Sequence, residues 1–390
     1  MAPSQTRDSV DLDLTVTALG MATSLAVGCV PACAAARAGI ARLTSANIDP
    51  DVDEDLDPTT VSRHTMGDMT EGFTGRARLL RLAIPALHDL LSFCSTRGVT
   101  IPPRTGLIVN LPSSYYKQQQ EYAASDDDEV PVPAGDGNND SVTTGFIADL
   151  LALAEVDLNP PFARILELDQ SGAAAVLQAA SELLAAGDLD ACIVGGIDSL
   201  VDEPILDACL DLGILKSSAH AVGLTPGEGA AFILVEGRQS AVGRGAPALA
   251  ALGASAVAVD GKHRLAGTPP DGKVLSTLIE KALGHHGRKT PLGDVTFYGD
   301  LNGDDFRATD WGHAVARLRL RGIAPADEVY LAVNFGDVGA AYGFFAVCIA
   351  TRSFARDYAR SNICLIWAGG DSGQKGAFVV SRPSERGRTP

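Results

Sequence analysis

The residues with the most chemical promise sit between an apolar strand and an apolar helix, in LELDQSGAAAVLQAASELLAAGDLDACIVGGIDS, residues 166–199. Asp169, Gln170, Ser171 and Gly172 occupy the turn between them. A side chain placed there meets backbone N–H groups at the helix start and the positive end of the helix dipole, so negative charge is stabilised. Many nucleophiles stand at such turns, because a thiolate or oxyanion gains from both effects. This turn holds no cysteine; it offers an acid, an amide and a hydroxyl. Ser171 would need a base, and the seven histidines supply no obvious partner. No His, Asp or Glu set carries metal-ligand spacing, so neither a metal nor an organic cofactor is expected.

The elements that must position this turn follow from periodicity. A buried strand opens near residue 16 and leads to a helix over 31–43; a second helix covers 77–97, with Pro85 expected to kink it. GLIVNL (106–111) is a short apolar run of the buried-strand kind. Residues 117–144 break the pattern with Gln, Asp, Pro, Gly and Asn and read as a flexible acidic surface insertion. A short helix (146–156) and a strand (163–168) lead to the turn. Its helix stops at Gly187, and a buried strand spans 190–196. After the glycine-rich GLTPGEGAAFILVE (223–236) the pattern starts again: strands near 249–259, 295–298, 329–334, 364–368 and 377–380 alternate with helices near 273–283, 308–318 and 339–352. Alternation in both halves predicts an α/β fold with layered helices and mainly parallel sheets, divided into halves of 10–240 and 241–385.

With 390 residues, 46% of them hydrophobic, the chain can bury a large core. A formal charge of −17 argues against binding nucleic acid or an anionic membrane, and an acidic carrier protein would need a local basic patch. Residues 16–36 lack formal charge, but Gly20, Ser24, Gly28 and Pro31 interrupt them, and they read as strand, turn and helix rather than as a membrane span. The seven cysteines lie mostly in apolar runs without paired spacing, and the N-terminus is acidic where a secretory leader would be basic and apolar. A cytoplasmic protein with reduced core cysteines is expected.

Several segments together, in order, resemble the β-ketoacyl synthases of the thiolase superfamily. VTALGMATSL (16–25) is similar to the family's opening strand, SGAAAVLQAASELLAAGDLDACIVGG (171–196) to its nucleophile helix and following strand, and GLTPGEGAAFILVE to its GEGA segment. TPPDG (268–272), YGD (298–300), GDVGAAYG (336–343) and GGDSG (369–373) stand where the family has site-lining loops. The resemblance implies a five-layered αβαβα fold of two similar halves. It also implies pairing of two subunits through the strand after the nucleophile helix, residues 190–194.

The family's chemistry uses a Cys thiolate that takes the acyl group and two His that stabilise the enolate formed on decarboxylation. By resemblance the Cys position falls on Asp169 or Gln170, the first His on Tyr298 and the second on Asp337. All three are replaced. Tyr298 is a poor base, an ionised Asp337 would repel an enolate, and His263, just before TPPDG, reads most simply as a solvent-facing loop residue. Ser171 as an N-cap, Tyr298 as a strand-end aromatic, Asp337 as a turn residue, Glu228 as a buried acid holding the GEGA loop, and His285 and His286 beside a helix end are the purely structural readings. The replacements imply a non-condensing partner, adaptor or chaperone subunit. Chain-length factors carry Gln at the Cys position, and YGDLNGDDFRATDWG (298–312) is similar to ketoacyl-synthase-like proteins of type VI secretion clusters, thought to serve secreted effectors. The partner would be a second thiolase-like subunit, in a homodimer or heterodimer, or an effector cargo, with an acyl carrier protein as a further candidate. The alternative is an acyltransferase or decarboxylase acting on acyl-carrier thioesters.

Overall fold

The computed structural model describes residues 5, 6, 8–47, 59–113, 143–284 and 294–383. Residues 48–57 of the acidic loop, 117–142 of the insertion, and His285 and His286 lie outside the described residues. The first half contains β1 (Gln5–Thr6), β2 (Val10–Thr23), α1 (Cys29–Arg37), β3 (Thr44–Asn47), β4 (Thr60–Arg63), α2 (Gly67–Thr70), α3 (Gly75–Arg97), β5 (Thr105–Leu111), α4 (Phe146–Leu153), β6 (Ala163–Glu167), α5 (Gly172–Ala185), β7 (Ala191–Ser199), α6 (Glu203–Asp211), β8 (Glu228–Gly237) and α7 (Arg238–Gly243). The second contains β9 (Ala250–Val259), α8 (Lys273–Gly284), β10 (Val295–Gly299), α9 (Asp305–Leu320), β11 (Asp327–Tyr330), α10 (Ala332–Phe335), α11 (Tyr342–Ala355), β12 (Ile363–Gly369) and β13 (Gln374–Ser381).

The sheet order is β11-β10-β12-β13-β9-β2-β8-β7-β5-β6, with β1 beside β9. Read outward from the β2/β9 pair, each half has the same sequence of strands: first, fifth, fourth, second, third. The similarity of the halves is therefore topological as well as periodic. Pairing is mixed rather than mainly parallel. Only β5/β6, β5/β7, β10/β11 and β10/β12 run parallel, while β8 and β13 return antiparallel and β2 and β9 pair antiparallel at the junction. The short link between β12 and β13 enforces this reversal, since a parallel return needs a crossover of a dozen residues or more.

Five layers result. α5 and α11 lie against each other between the halves and touch strands of both, α3 covers the outer face of the first half, and α8 and α9 cover that of the second. From Tyr342 to Phe354 every residue of α11 is buried, as a helix that is apolar on all sides must be. One hydrophobic cluster surrounds α5 and α11, and separate clusters lie beneath α3 and beneath α8 and α9. α3 continues through Pro85 and crosses β2 so closely that a Cβ at Gly20 would overlap the Ala86 carbonyl.

Three expectations are corrected. The opening helix ends at Arg37 rather than at residue 43, because Gly39 turns the chain at φ +71°. The strand expected over 329–334 ends at Tyr330 and gives way to α10. The strand expected to pair two subunits, residues 190–194, is in β7, which β5 and β8 flank on both sides; the free edge of the first half is β6.

Candidate functional site

Two turns with nearly the same backbone meet at the centre of the molecule. Asp169–Ser171 leads into α5 and Gly339–Ala341 leads into α11. Each begins with a residue at φ +47° and ends with one near φ −80°. Glycine adopts the first conformation freely, so Gly339 fits. There is no room for more, because a Cβ at Gly339 would overlap the Asp198 carboxylate. Asp169 holds the same strained conformation with a side chain. Its Oδ1 accepts from the Ser113 N–H at 2.6 Å and its Oδ2 from the Ser113 hydroxyl at 3.0 Å.

Two polar residues at strand ends lock the turns together. Asn110, in β5, donates from Nδ2 to the Asp169 carbonyl at 2.7 Å and to the Ala340 carbonyl at 3.0 Å, and its Oδ1 accepts from the Leu168 N–H at 3.3 Å. Gly172 lets Asn110 approach, since a Cβ there would overlap its amide. Asp198, in β7, accepts from the Ala340 N–H at 2.7 Å. Burial pushes its carboxyl well above the usual range; the Ala340 bond opposes this, and the nearby Asp169 and Asp337 charges add to it.

Beyond the second turn lies a buried web of charge. Asp337 accepts from Asn302 Nδ2 at 2.6 Å, from Arg307 Nη1 at 3.2 Å and from the Gly339 N–H at 2.9 Å, so it braces its own turn. Asp300 accepts from the Gly369 N–H at 2.7 Å and lies 3.8 Å from Arg307. Arg307 also faces Asp371 at 3.8 Å, while Arg264 pairs with Asp371 and Asp304. Four carboxyls thus surround two guanidiniums, and protons offset the excess. Burial raises Asp300 to about 7 against the lowering effect of Arg307, and it also raises Asp304. Lys262, His263, Asp300, Arg307, Asp371 and Lys375 line a cavity of about 20 Å³, room for one water molecule. His263 is half-buried in that wall with Nδ1 3.2 Å from the Asp371 carbonyl oxygen, so it is not the solvent-facing loop residue expected.

Asp169, Ser171 and Asp337 are therefore gathered around the paired turns, with Gln170 beside them. Gln170 is 2% exposed, and neither of its amide atoms has a hydrogen-bond partner among the described residues. Ser171 does not cap α5: its hydroxyl donates back to the Leu168 carbonyl at 3.0 Å. Tyr298 belongs to the central hydrophobic cluster and makes no hydrogen bond to the carboxylates among the described residues. Burial raises its hydroxyl well above the usual range, and Asp300, two positions on, enters the charged web instead. Glu228 does brace the GEGA loop. It accepts from Thr65, Met66 N–H and Thr70 on one side and from Arg78 and Ser199 on the other. Asn110, Ser113, Asp198, Asp300 and Arg307 were missed; the available signal was a lone polar residue at the end of an apolar run, as in GLIVNL and IVGGID.

Among the described residues no group of His, Cys, Asp or Glu is placed to hold a metal ion, and no helix is long and apolar enough to cross a membrane.

Residues 101–241 match the family described as beta-ketoacyl synthase, N-terminal domain. No curated protein sequence matches the chain. Among solved structures, the ishigamide ketosynthase/chain length factor superposes with a TM-score of 0.68 at 19% identity, covering 95% of this chain and 99% of that one. A type II polyketide synthase acyl carrier protein in complex with its ketosynthase gives 0.73 at 14% identity, covering 97% and 100%. A β-ketoacyl synthase from Burkholderia phymatum gives 0.69 at 16% identity, covering 95% and 99%. At these identities the likeness is one of fold. With that shared fold and a matching N-terminal synthase domain, the chain is a β-ketoacyl-synthase-like protein of the thiolase superfamily.

Proposed function

We propose that the chain is a non-condensing member of this fold that serves as a partner, adaptor or chaperone subunit. The observation that carries this is the head of α5, where the carboxylate of Asp169 is tied to Ser113 in the place where condensation needs a free thiolate. The neighbouring groups reinforce it. Asp198, Asp300 and Asp337 are acids where an enolate needs donors, and the adjoining cavity has room for one water. The cysteines are no substitute: all seven are buried, and burial pushes the thiols of Cys94 to about 11 and of Cys192 and Cys364 to about 12. Free buried thiols also suit a cytoplasmic setting.

A partner is supported by the free edge of β6 and by relatives solved as a ketosynthase/chain length factor and as a ketosynthase with its carrier protein. A second thiolase-like subunit is the partner we favour, and an effector cargo is the other form of the same reading. One observation favours residual acyl-thioester chemistry: the unpartnered amide of Gln170 is able to bind a carbonyl. The two separate in one assay. Purified protein is incubated with malonyl- and acyl-loaded carrier protein and followed by intact mass and carbon dioxide release, alongside Ser171→Ala and Tyr298→Phe. We expect no adduct and no turnover; turnover abolished by either substitution would overturn the partner reading.

A further inference from the structure

The outer side of α1 and the loop that follows it form a surface that no described residue covers. From Arg37 to Ser45 every residue is exposed. Ile40 and Leu43 present 51% and 55% of their surface, and Val333 of α10, at 71%, stands beside them because Asn334 Nδ2 donates to the Ile40 carbonyl at 2.9 Å. Val30, 42% exposed, extends the apolar stripe along α1. Single exposed aliphatics are ordinary, but several gathered on one anchored loop mark an interaction surface.

The charge of this surface is opposite to that of the molecule. On a chain of net charge −17, Arg37 and Arg42 flank the aliphatics and form no ion pair among the described residues. The Arg37 guanidinium lies 4.1 Å above the Tyr358 ring, which holds it in place with its N–H edge available. A nucleic acid or an anionic membrane would find two arginines set against seventeen excess negative charges, so neither is favoured. A protein segment that carries its own aliphatics and carboxylates matches both features, and a helix displays them together at i, i+3, i+4 and i+7.

We propose that this face docks an acidic amphipathic helix of a partner protein, its aliphatics on Ile40, Leu43 and Val333 and its carboxylates on Arg37 and Arg42. The surface is separate from the paired turns, so the proposal stands or falls independently of the turnover assay. The test places a photo-crosslinking amino acid at Leu43 of the full chain in the native host, with Leu320, 89% exposed on α9, as control. The crosslinked segment is then identified by mass spectrometry. The expected result is a segment of another protein with acids and aliphatics at helical spacing, and a yield that falls about tenfold in the Arg37→Glu, Arg42→Glu double variant, as loss of two charge-assisted contacts predicts. The thermal midpoint, measured in parallel, stays where it was because both side chains are exposed. A segment from a second copy of this chain, a segment without acids, a yield no higher than at Leu320, or a yield indifferent to the double variant overturns the proposal.

Discussion

Gly339 adopts φ +47° without cost, whereas Asp169 holds the same conformation with a side chain, a strain of roughly 1–3 kcal/mol. The two hydrogen bonds to Ser113 give that strain a structural return. They also occupy the carboxylate, and this is why the residue at the head of α5 reads as a brace rather than as a nucleophile. Asp300 makes the clearest residue-scale prediction. Its carboxyl ordinarily titrates near 4 and does so near 7 in the fold, so between those values the folded chain holds a proton that the unfolded chain has released. Stability from this group is complete below about pH 4, falls as pH rises through that window and is level above about pH 7. Urea midpoints measured from pH 5 to 8 are expected to decline, and Asp300→Asn, which keeps an acceptor for the Gly369 N–H, is expected to flatten the decline. An unchanged slope in that variant would show that Asp300 is not the group responsible.

At the scale of elements, periodicity gave the strands and helices of both halves, because buried strands and amphipathic helices write their period into the sequence. It did not give which strand ends meet. Asn110 and Asp198 lie 88 positions apart, and their importance arises only because β5 and β7 pair and deliver both to the same turns. Family resemblance pointed to Tyr298, yet the last residues of β10 rotate that ring into the core and leave Asp300 to face Arg307. β7 was taken for a pairing edge because a strand's neighbours are not written in its own residues. The same reasoning makes Gly339 the most sensitive position of the central layer. Gly339→Ala combines a strained φ with overlap of the Asp198 carboxylate, itself fixed by the Ala340 N–H. A loss of about 3 kcal/mol or more is expected in chemical denaturation. Gly312→Ala, with open space around it on α9, is expected to lie within about 1 kcal/mol of the parent.

At the scale of the whole molecule, the repeated strand order leaves β6 and β11 as the two outer strands, and their surroundings differ. β6 borders an open groove of about 300 Å³ against α4, and Ala163 and Arg164 are exposed along it. The direction of its peptide groups follows from one bond. The Leu107 N–H donates to the Phe162 carbonyl at 2.9 Å, and the alternation of a parallel ladder then turns the Arg164 peptide inward and those of Ala163 and Ile165 outward. An outward row of unpaired donors and acceptors is a template for another strand, and a second thiolase-like subunit presents a matching edge. Ala163→Pro removes one outward N–H, breaks no bond to β5 and keeps the extended backbone that proline tolerates at the start of an edge strand. If β6 is the pairing edge, sedimentation of this variant moves toward the 40.4 kDa monomer at concentrations where the parent remains paired, while its thermal unfolding as a monomer is nearly unchanged. A variant that stays paired with parental affinity would place the subunit contact elsewhere, and the exposed aliphatics of the α1 face would then be the next surface to test.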